Sequence, residues 1–204
     1  MARELEIKCK VPEGLHLFMA KIAERGWIQT GYSEQRNHYF TSALFSSNAS
    51  LRTRIDDLSE KGALLIVKRP RFSTGDAING QDRIETENQT DMPIEDLDRM
   101  LIESGIAELQ SKWARQRFTY DNPNVPVILT CDFNSGYGEL VELEAKPGYD
   151  ITVGGLVDLT EQLLLEPLEK AELNSWYEQV LADNDLYYNS FLSNADEPVY
   201  VKRS

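Results

Sequence analysis

The chain has 204 residues and a formal net charge of −13, with 41% hydrophobic and 27% charged residues. This acidic balance disfavours nonspecific binding to nucleic acid or to an anionic membrane surface. Apolar runs such as Leu64–Val67 and Leu163–Leu165 are too short to span a bilayer, and the first residues form no apolar signal segment, so we expect a cytoplasmic protein.

The first half of the chain predicts one helix among several strands. A strand is predicted over residues 3–11, followed by a helix near 13–25 that Gly26 would end. Further strands are predicted near 27–32, 36–42, 50–57 and 63–69. The polar segment 70–82 is long for a hairpin loop, and we interpret it as either a mobile lid or a surface excursion.

The second half continues the same mixture. A strand at 82–89 leads to a helix near 93–104, whose first turn suits Pro93 and whose end suits Gly105. Strands follow near 110–120, 126–133 and 138–146, with a turn at 134–136 between the last two. The remainder is predicted to be mainly helical, with Pro167 at a helix start or kink and an apolar stripe formed by Leu173, Trp176, Tyr177, Val180 and Leu181.

This order of elements gives about eight or nine mostly antiparallel strands and three helical segments. It predicts an α+β fold in which helices cover the outside of a sheet or barrel. We expect one domain over residues 1–204, with 193–204 as a loose tail. The two cysteines, Cys9 and Cys131, make neither a disulfide framework nor a zinc site, and we expect buried free thiols.

Charged and apolar residues alternate in several predicted strands. The segments are Glu4–Lys8, Leu51–Ile55, Arg83–Glu87, Arg115–Arg117 and Val141–Ala145. Residues two apart in a strand lie on one face, so each segment has a charged face and a mostly apolar face. One such strand is typical of an exposed sheet. Five with charges of both signs indicate a shared charged interior, which a closed antiparallel sheet with its apolar groups outward would supply.

The acidic members of this pattern predict a site for a divalent cation. They are Glu4, Glu6, Glu85, Glu87, Asp132, Glu142 and Glu144. Pairs of carboxylates facing across a narrow barrel can hold a metal ion, and hard oxygen ligands favour Mg²⁺, Mn²⁺ or Ca²⁺ over zinc.

The basic members predict a polyanionic ligand. They are Lys8, Arg52, Arg54, Lys68, Arg83, Arg115 and Arg117. Guanidinium groups make forked hydrogen bonds to phosphate oxygens and lysine supplies a compact charge, so converging cations indicate several phosphates. Metal carboxylates beside such cations favour phosphoryl or nucleotidyl transfer. The alternative for any single pair is a solvated strand face or a cross-strand ion pair.

The same residues resemble the ordered motifs of the CYTH superfamily, the triphosphate tunnel metalloenzymes. In chain order, Glu4–Lys8 resembles its ExExK signature, Gln35–Phe40 its strand ending in Tyr-Phe, Leu51–Arg54 its LRxR, Leu65–Lys68 its strand ending in lysine, Arg83–Glu87 its RxExE, Arg115–Tyr120 its KxRxxY, Asp132 with Gly138–Glu144 its final acidic motif, and Tyr187–Leu192 its closing segment. The match spans residues 3–192.

The resemblance implies a closed eight-stranded antiparallel tunnel that binds triphosphate and depends on Mg²⁺ or Mn²⁺. By position it implies metal ligands at Glu4, Glu6, Asp132, Glu142 and Glu144, a second metal or an oriented water at Glu85 and Glu87, and phosphate contacts from Lys8, Arg52, Arg54, Lys68, Arg115 and Arg117. The implied partner is a small triphosphate-containing molecule bound by a monomer or homodimer.

Two positions depart from the family pattern. Arg115 stands where lysine is usual, and an arginine binds phosphate but does not act as a base. Tyr187 and Tyr188 stand where a Ser-Tyr pair is commoner. Tyr39 is interpreted either as a partner of Lys8 in proton transfer or water positioning, or as a packed barrel aromatic. His38 should point the opposite way.

We interpret the chain as a metal-dependent triphosphate hydrolase, in which Lys8, Tyr39 and Glu87 are the candidate catalytic residues. A class IV adenylyl cyclase from the same superfamily would need a similar cation tunnel, so the motifs do not separate the two. A noncatalytic binder of polyphosphate or nucleotide is the third alternative.

Overall fold

The computed structural model describes residues 2–45, 49–56, 61–70, 81–134, 138–172 and 175. Several predicted features therefore lie outside the described residues. They are most of the loop at 70–82, the turn residues 135–137, the members of the apolar stripe after 172, the motif at 187–192 and the tail at 193–204.

Eight antiparallel strands close a barrel within the described part of the chain. They are β1 (Ala2–Lys10), β2 (Ile28–Thr41), β3 (Ser50–Asp56), β4 (Leu64–Pro70), β5 (Gln81–Gln89), β6 (Glu108–Asp121), β7 (Val127–Asn134) and β8 (Gly138–Ala145). The order around the ring is β1-β5-β4-β3-β2-β6-β7-β8, and β8 pairs again with β1. The predicted α+β class and the closed eight-stranded barrel are confirmed.

The helices with described bounds are α1 (Leu15–Glu24), α2 (Ile94–Glu103) and α3 (Val153–Gln162). Residues 170–172 and 175 are helical as well. Gly26 has a φ of +84°, a conformation that glycine adopts without strain, and it ends α1 as predicted. No helix in the described ranges has both the length and the apolar character needed to cross a bilayer.

The apolar core lies between the barrel and its helices. Leu5, Ile7 and Cys9 project outward from β1 and share one buried cluster with Phe18 of α1 and Leu156 of α3. Each fully buried side chain of this kind contributes roughly 1.5–3 kcal/mol to stability. This packing fixes the register of β1, because a slip by one residue would exchange its apolar and charged faces.

A second apolar region packs α2 against the other side of the barrel. Leu101 of α2 joins Phe40 and Leu51, and Leu97 joins Ile94 in a neighbouring cluster. Apolar groups are thus turned outward on both sides, as the alternation predicted. Charged residues on the opposite strand faces must lie inside the ring.

Both cysteines are buried and free, as predicted. Burial raises the pKa of the Cys9 thiol to about 12 and holds that of Cys131 well above its usual value. Neutral thiols of this kind behave as small apolar side chains.

The predicted strands 27–32 and 36–42 are one continuous strand, β2. The chain remains paired with β6 through the region between them, and the register is unbroken from Gly31 to Tyr39. The prediction of two strands was wrong because the polar residues 33–35 pair in the ladder as regularly as their neighbours and do not end the strand.

The predicted role of Pro167 was also wrong. Pro167 lies in a two-residue strand, β9 (Glu166–Pro167), and pairs with Cys9 at the end of β1. Proline is tolerated on such an edge segment, where no long ladder needs its missing N–H. The following helical residues begin at Lys170.

Candidate functional site

The charged side chains predicted for the interior come together there. Those less than 10% exposed are Glu4, Glu6, Lys8, Arg52, Lys68, Arg115, Asp132 and Glu142. Arg54, Glu85, Arg117 and Glu144 are of intermediate exposure, and Glu87 is exposed. The candidate residues of β1, β3, β4, β6, β7 and β8 are therefore buried or half-buried, and Glu87 of β5 lies at the exposed margin of the set.

Lys8 bridges two carboxylates inside the barrel. Its Nζ donates to Glu6 Oε1 at 3.0 Å and to Glu142 Oε1 at 2.5 Å. Burial alone would raise the pKa of Glu6, but Lys8 and Lys68 lower it to about 2. Burial likewise opposes the shift at Glu142, where Arg117 and Lys8 hold the pKa well below its usual value. Both carboxylates are therefore charged partners of Lys8 at neutral pH.

Lys68 makes the equivalent bridge between β1 and β5. Its Nζ donates to Glu4 and lies 2.6 Å from Glu85 Oε2. Burial opposes the shift at Glu85, but Lys68 lowers the pKa of this carboxyl to about 2. Burial and repulsion from Glu6 raise the pKa of Glu4 to about 8 despite Lys68. The positive charge of Lys68 therefore stabilises the ionised form of Glu85 well and that of Glu4 poorly.

Asp132 anchors two arginines of β6. Its Oδ1 accepts from Arg117 Nε at 2.7 Å, and its Oδ2 accepts from Arg117 Nη2 at 2.6 Å and from Arg115 Nη1 at 2.8 Å. Arg117 also contacts Glu142, and Arg115 Nε donates to Gln35 Oε1 at 2.8 Å. Both oxygens of this buried carboxylate are thus used to orient guanidinium groups.

The wall formed by β2 and β3 carries further cations and an aromatic group. Arg52 Nη1 donates to the Tyr39 hydroxyl at 3.1 Å, and Arg54 Nη2 donates to Glu87 Oε1 at 2.8 Å. Burial would raise the pKa of Tyr39, but the Arg52 and Lys68 charges outweigh it and hold that pKa below its usual value.

Burial of the arginines of this wall and repulsion among them favour the binding of an anion there. Burial, followed by repulsion from Arg52 and other arginines, lowers the pKa of Arg54 to about 10. Burial and the Arg117 charge also lower the pKa of Arg115. An added anion would relieve this repulsion.

The carboxylates of β1 and β8 have the donor chemistry that a hard divalent cation needs. Glu6 and Glu144 are directly opposite each other in the strand register. Burial and repulsion from Glu6 raise the pKa of Glu144 to about 7. Glu4 Oε2 is buried and has no hydrogen-bond partner among the described residues. This surplus of oxygen donors and negative charge fits Mg²⁺ or Mn²⁺.

The carboxylates are not gathered around one point. Among the residues that the structure describes, no three acidic, histidine or cysteine side chains converge closely enough to hold a metal ion. Glu4, Glu6 and Glu142 instead contact Lys8 or Lys68.

His38 lies outside the barrel, as its position next to Tyr39 predicted. Its Nδ1 is 2.5 Å from Asp98 Oδ2 of α2, and Thr53 Oγ1 donates to Asp98 Oδ1 at 2.6 Å. Lys112, the register partner of His38 on β6, lines an outer cleft with the same two residues. This cluster belongs to the packing of α2 and not to the interior site.

Three interior residues were not among the predicted site residues. Gln35 and Asn37 precede Tyr39 at intervals of two on β2, and Trp113 precedes Arg115 by two on β6. Trp113 stacks on Tyr39 with ring centroids 6.0 Å apart and an interplanar angle of 19°. The period-two rule that located Tyr39 and Arg115 would have found all three, since uncharged residues share the inner face.

Comparison with known proteins gives structural matches only. No family model and no curated protein matches the sequence. A candidate adenylyl cyclase from Hippeastrum, described as having a dominant triphosphatase activity, has a TM-score of 0.59 and 18% identity, covering 87% of this chain and 96% of that chain. A candidate adenylate cyclase from Vibrio parahaemolyticus has a TM-score of 0.62 and 17% identity, covering 83% of this chain and 94% of that chain.

A chain of the Mediator head module from Schizosaccharomyces pombe also matches, with a TM-score of 0.54 and 9% identity, covering 81% of this chain and 100% of that chain. Similarities at these identities establish the fold, and the fold alone does not specify a reaction. This chain therefore shares the closed-barrel fold of these solved structures, which is the fold that the resemblance drawn from the motifs implied.

Proposed function

We propose that this chain is a divalent-metal-dependent triphosphate hydrolase, acting on inorganic triphosphate or on an organic or nucleoside triphosphate. The observation that carries the proposal is the set of six cations on the inner face of the barrel, where Arg52 contacts Tyr39 and the other five contact carboxylates: Lys8, Arg52, Arg54, Lys68, Arg115 and Arg117. Guanidinium forks and ammonium groups arranged around one space suit a chain of several phosphates. The triphosphatase activity described for the Hippeastrum protein supports the same reading.

Binding would proceed by exchange of ion pairs. In the free protein Lys8 and Lys68 form ion pairs with Glu6, Glu142 and Glu85, and Lys68 compensates Glu4 only partly. A triphosphate that takes over the two ammonium groups removes this compensation, and losing a partner is costly for a buried carboxylate. A divalent ion bound at the same time would restore neutrality, so triphosphate and metal should bind cooperatively.

Glu4, Glu6 and Glu144 are the residues that would hold Mg²⁺ or Mn²⁺. Glu85 and Glu142 are further predicted ligands on the same inner surface. When bound, the ion would neutralise charge on the phosphoryl oxygens and help orient them. The three arginine contacts of Asp132 favour a positioning role for this residue over direct ligation.

In the proposed reaction, water attacks the terminal phosphorus and the bond from that phosphorus to the bridging oxygen breaks. Diphosphate, or the corresponding organic diphosphate, leaves with the electron pair, and the proton of the attacking water passes to a base. Glu87 is the candidate base that this geometry favours, because it is exposed to solvent and faces Arg54. Burial and its hydrogen bond with Glu85 raise the pKa of Glu87, which improves its match to neutral pH.

Tyr39 and Lys8 would have supporting roles in this reaction. Tyr39 accepts a hydrogen bond from Arg52, and Lys8 contacts Glu6 and Glu142. Their different partners favour separate tasks over a shared proton transfer: Lys8 grips phosphate and Tyr39 fixes Arg52. Positioning and charge neutralisation then supply most of the rate enhancement, as is general for phosphoryl transfer.

A class IV adenylyl cyclase is the second candidate, favoured by the description of the Vibrio parahaemolyticus protein. There the ribose 3′-hydroxyl attacks the α-phosphorus and diphosphate leaves. Both reactions would use the same cations to bind the phosphates, and they differ in the nucleophile.

The deciding experiment is a panel of triphosphate, thiamine triphosphate and ATP, with Mg²⁺, Mn²⁺ or Ca²⁺ and with products identified. Release of terminal phosphate supports the hydrolase, and cyclic AMP with diphosphate would establish the cyclase instead. Glu144→Gln should abolish turnover, whereas Glu95→Gln, which alters an exposed carboxylate of α2, should not. Tight binding with no turnover under any metal would refute both reactions and leave a noncatalytic binder.

A further inference from the structure

We propose that Asn37 contacts the substrate: its side-chain amide donates a hydrogen bond to a phosphate oxygen of the bound triphosphate. The inference rests on the proposed function and extends it, because it adds an uncharged contact within the set of phosphate-binding cations. The motif comparison includes this residue in the segment Gln35–Phe40 but assigns it no role, and the charge pattern does not point to it.

Asn37 lies on the inner face of β2, between cations of β3 and β6. Its register partners are Arg54 on β3 and Trp113 on β6. Gln35 and Tyr39, two residues away on either side along β2, accept hydrogen bonds from Arg115 and Arg52. Asn37 therefore shares the inner face with two residues that each orient a guanidinium group.

The amide of Asn37 has no hydrogen-bond partner within the described part of the chain. The residue is 0% exposed, and this holds for both its Nδ2 and its Oδ1. A buried polar group left in this state costs about 1–3 kcal/mol, so a residue with only a packing role here would be better replaced by leucine.

A second buried donor on the neighbouring strand is in the same condition. Arg52 Nε has no hydrogen-bond partner within the described ranges, although its Nη1 contacts Tyr39. Two N–H donors without acceptors, side by side in one wall, indicate a ligand rich in acceptors. Phosphate oxygens are such acceptors, and they already suit the neighbouring cations.

The neutral charge of Asn37 is itself suited to this position. Burial is the largest cause of the lowered pKa of Arg54, and repulsion from Arg52 and Arg115 lowers it further. A further cation would increase this repulsion, and a carboxylate would compete with phosphate for the guanidinium groups. An amide adds a directed donor without either cost, and the hydrogen bond should be made only when phosphate is present.

The test compares Asn37→Leu with wild type in two measurements: thermal unfolding without ligand, and calorimetric binding of inorganic triphosphate without divalent metal, so that no turnover occurs. We expect the melting temperature to be maintained or raised, because an unpaired amide is removed. We expect triphosphate affinity to fall about tenfold or more, the equivalent of one charge-assisted hydrogen bond. A purely structural asparagine would not move these two quantities in opposite directions.

The matched control is Thr53→Val on the outer barrel face, where the hydroxyl contacts Asp98. It should lower the melting temperature and leave triphosphate affinity unchanged. If Asn37→Leu does not fold, Asn37→Ala removes the same donor with a smaller side chain and is judged by affinity. Unchanged affinity in a folded Asn37 variant would overturn the inference and assign the amide to a buried water. Absence of triphosphate binding by wild type both without metal and with Mg²⁺ or Mn²⁺ would instead overturn the proposed function.

Discussion

Arg117 holds Asp132 through two parallel hydrogen bonds, from Nε to Oδ1 at 2.7 Å and from Nη2 to Oδ2 at 2.6 Å. Forked pairs of this kind fix the plane of the guanidinium group as well as its position. Asp132 is 0% exposed, and it also accepts from Arg115. One buried carboxylate therefore sets the orientation of two predicted phosphate contacts.

Asp132→Asn should destabilise the free protein, because it leaves buried guanidinium groups without a compensating charge. Breaking a buried pair in this way costs about 3–5 kcal/mol. Urea unfolding measures the change, and we expect a value near the lower end since Arg117 keeps its contact with Glu142. Saturating triphosphate should restore part of the loss by supplying replacement charge.

Asp158→Asn is the control for this substitution, since Asp158 lies exposed on α3. Its effect should stay within about 0.5 kcal/mol. Equal stabilities of Asp132→Asn and wild type would contradict the positioning role.

The fold and the set of residues that face the barrel interior were predictable from the sequence. Both follow from the alternation of charged and apolar residues along each strand. Leu5, Ile7 and Cys9 needed a core, so Glu4, Glu6 and Lys8 had to face the other way. The same rule applies to every strand of the barrel. It locates the charged residues without reference to their partners.

The pairing of those charges was not predictable from any one segment. Lys68 contacts Glu4, which is far away in sequence, because strand stagger in a closed barrel decides which residues meet. The same stagger determines the surroundings of Glu144 and Glu142. Burial raises the pKa of Glu144, whereas Arg117 and Lys8 lower that of Glu142. The alternation of residues within a single strand contains no information about this stagger.

The stability of the metal-free protein should decline between about pH 5 and pH 8. Glu144 has a pKa of about 7 in the folded protein, raised chiefly by burial, and an ordinary carboxyl value near 4.5 when unfolded. A raised pKa means that the folded state holds its proton longer, so the stabilisation is complete below the unfolded pKa and is lost as pH rises through the folded one. The loss from Glu144 should be on the order of 2 kcal/mol.

Chemical unfolding at several pH values measures this slope. Glu144→Gln cannot ionise, so its slope over the same range should be smaller than that of wild type. The residual slope is expected from Glu4, whose pKa burial raises to about 8. A Glu144→Gln protein with the wild-type slope would show that this carboxyl does not titrate in the range.

Mg²⁺ should stabilise the protein more strongly at pH 8 than at pH 5. At pH 8 Glu144 is mostly ionised and Glu4 is partly ionised, and at pH 5 both carry protons that a metal ion must displace. An ion at one hundred times its dissociation constant would add about 2.7 kcal/mol to the free energy of unfolding.

The measurement is thermal unfolding with and without Mg²⁺ at both pH values. Glu4→Gln should abolish most of the shift at pH 8, whereas Glu95→Gln should retain it, because Glu95 lies outside the barrel and contacts Arg36. A shift of equal size in both variants would indicate that Mg²⁺ binds elsewhere.

Lys68→Met should weaken triphosphate binding, whereas the same substitution of a lysine outside the barrel should leave triphosphate affinity unchanged. Lys68 is 8% exposed and lies between Glu4 and Glu85. Removing it deletes one phosphate contact and leaves two carboxylates to repel the ligand, so we expect affinity to fall more than tenfold, or over about 1.4 kcal/mol. The dependence of affinity on salt should also decrease, since one fewer charge is engaged.

Lys112→Met provides the comparison, because Lys112 points to the outer cleft beside His38 and Asp98. Both substitutions remove one positive charge from a strongly acidic chain, so any effect of net charge alone is common to them. Calorimetry across a salt series separates this general effect from a contact inside the barrel. If Lys112→Met weakened binding as much as Lys68→Met, long-range attraction would explain the affinity and the interior cations would lose their assigned role.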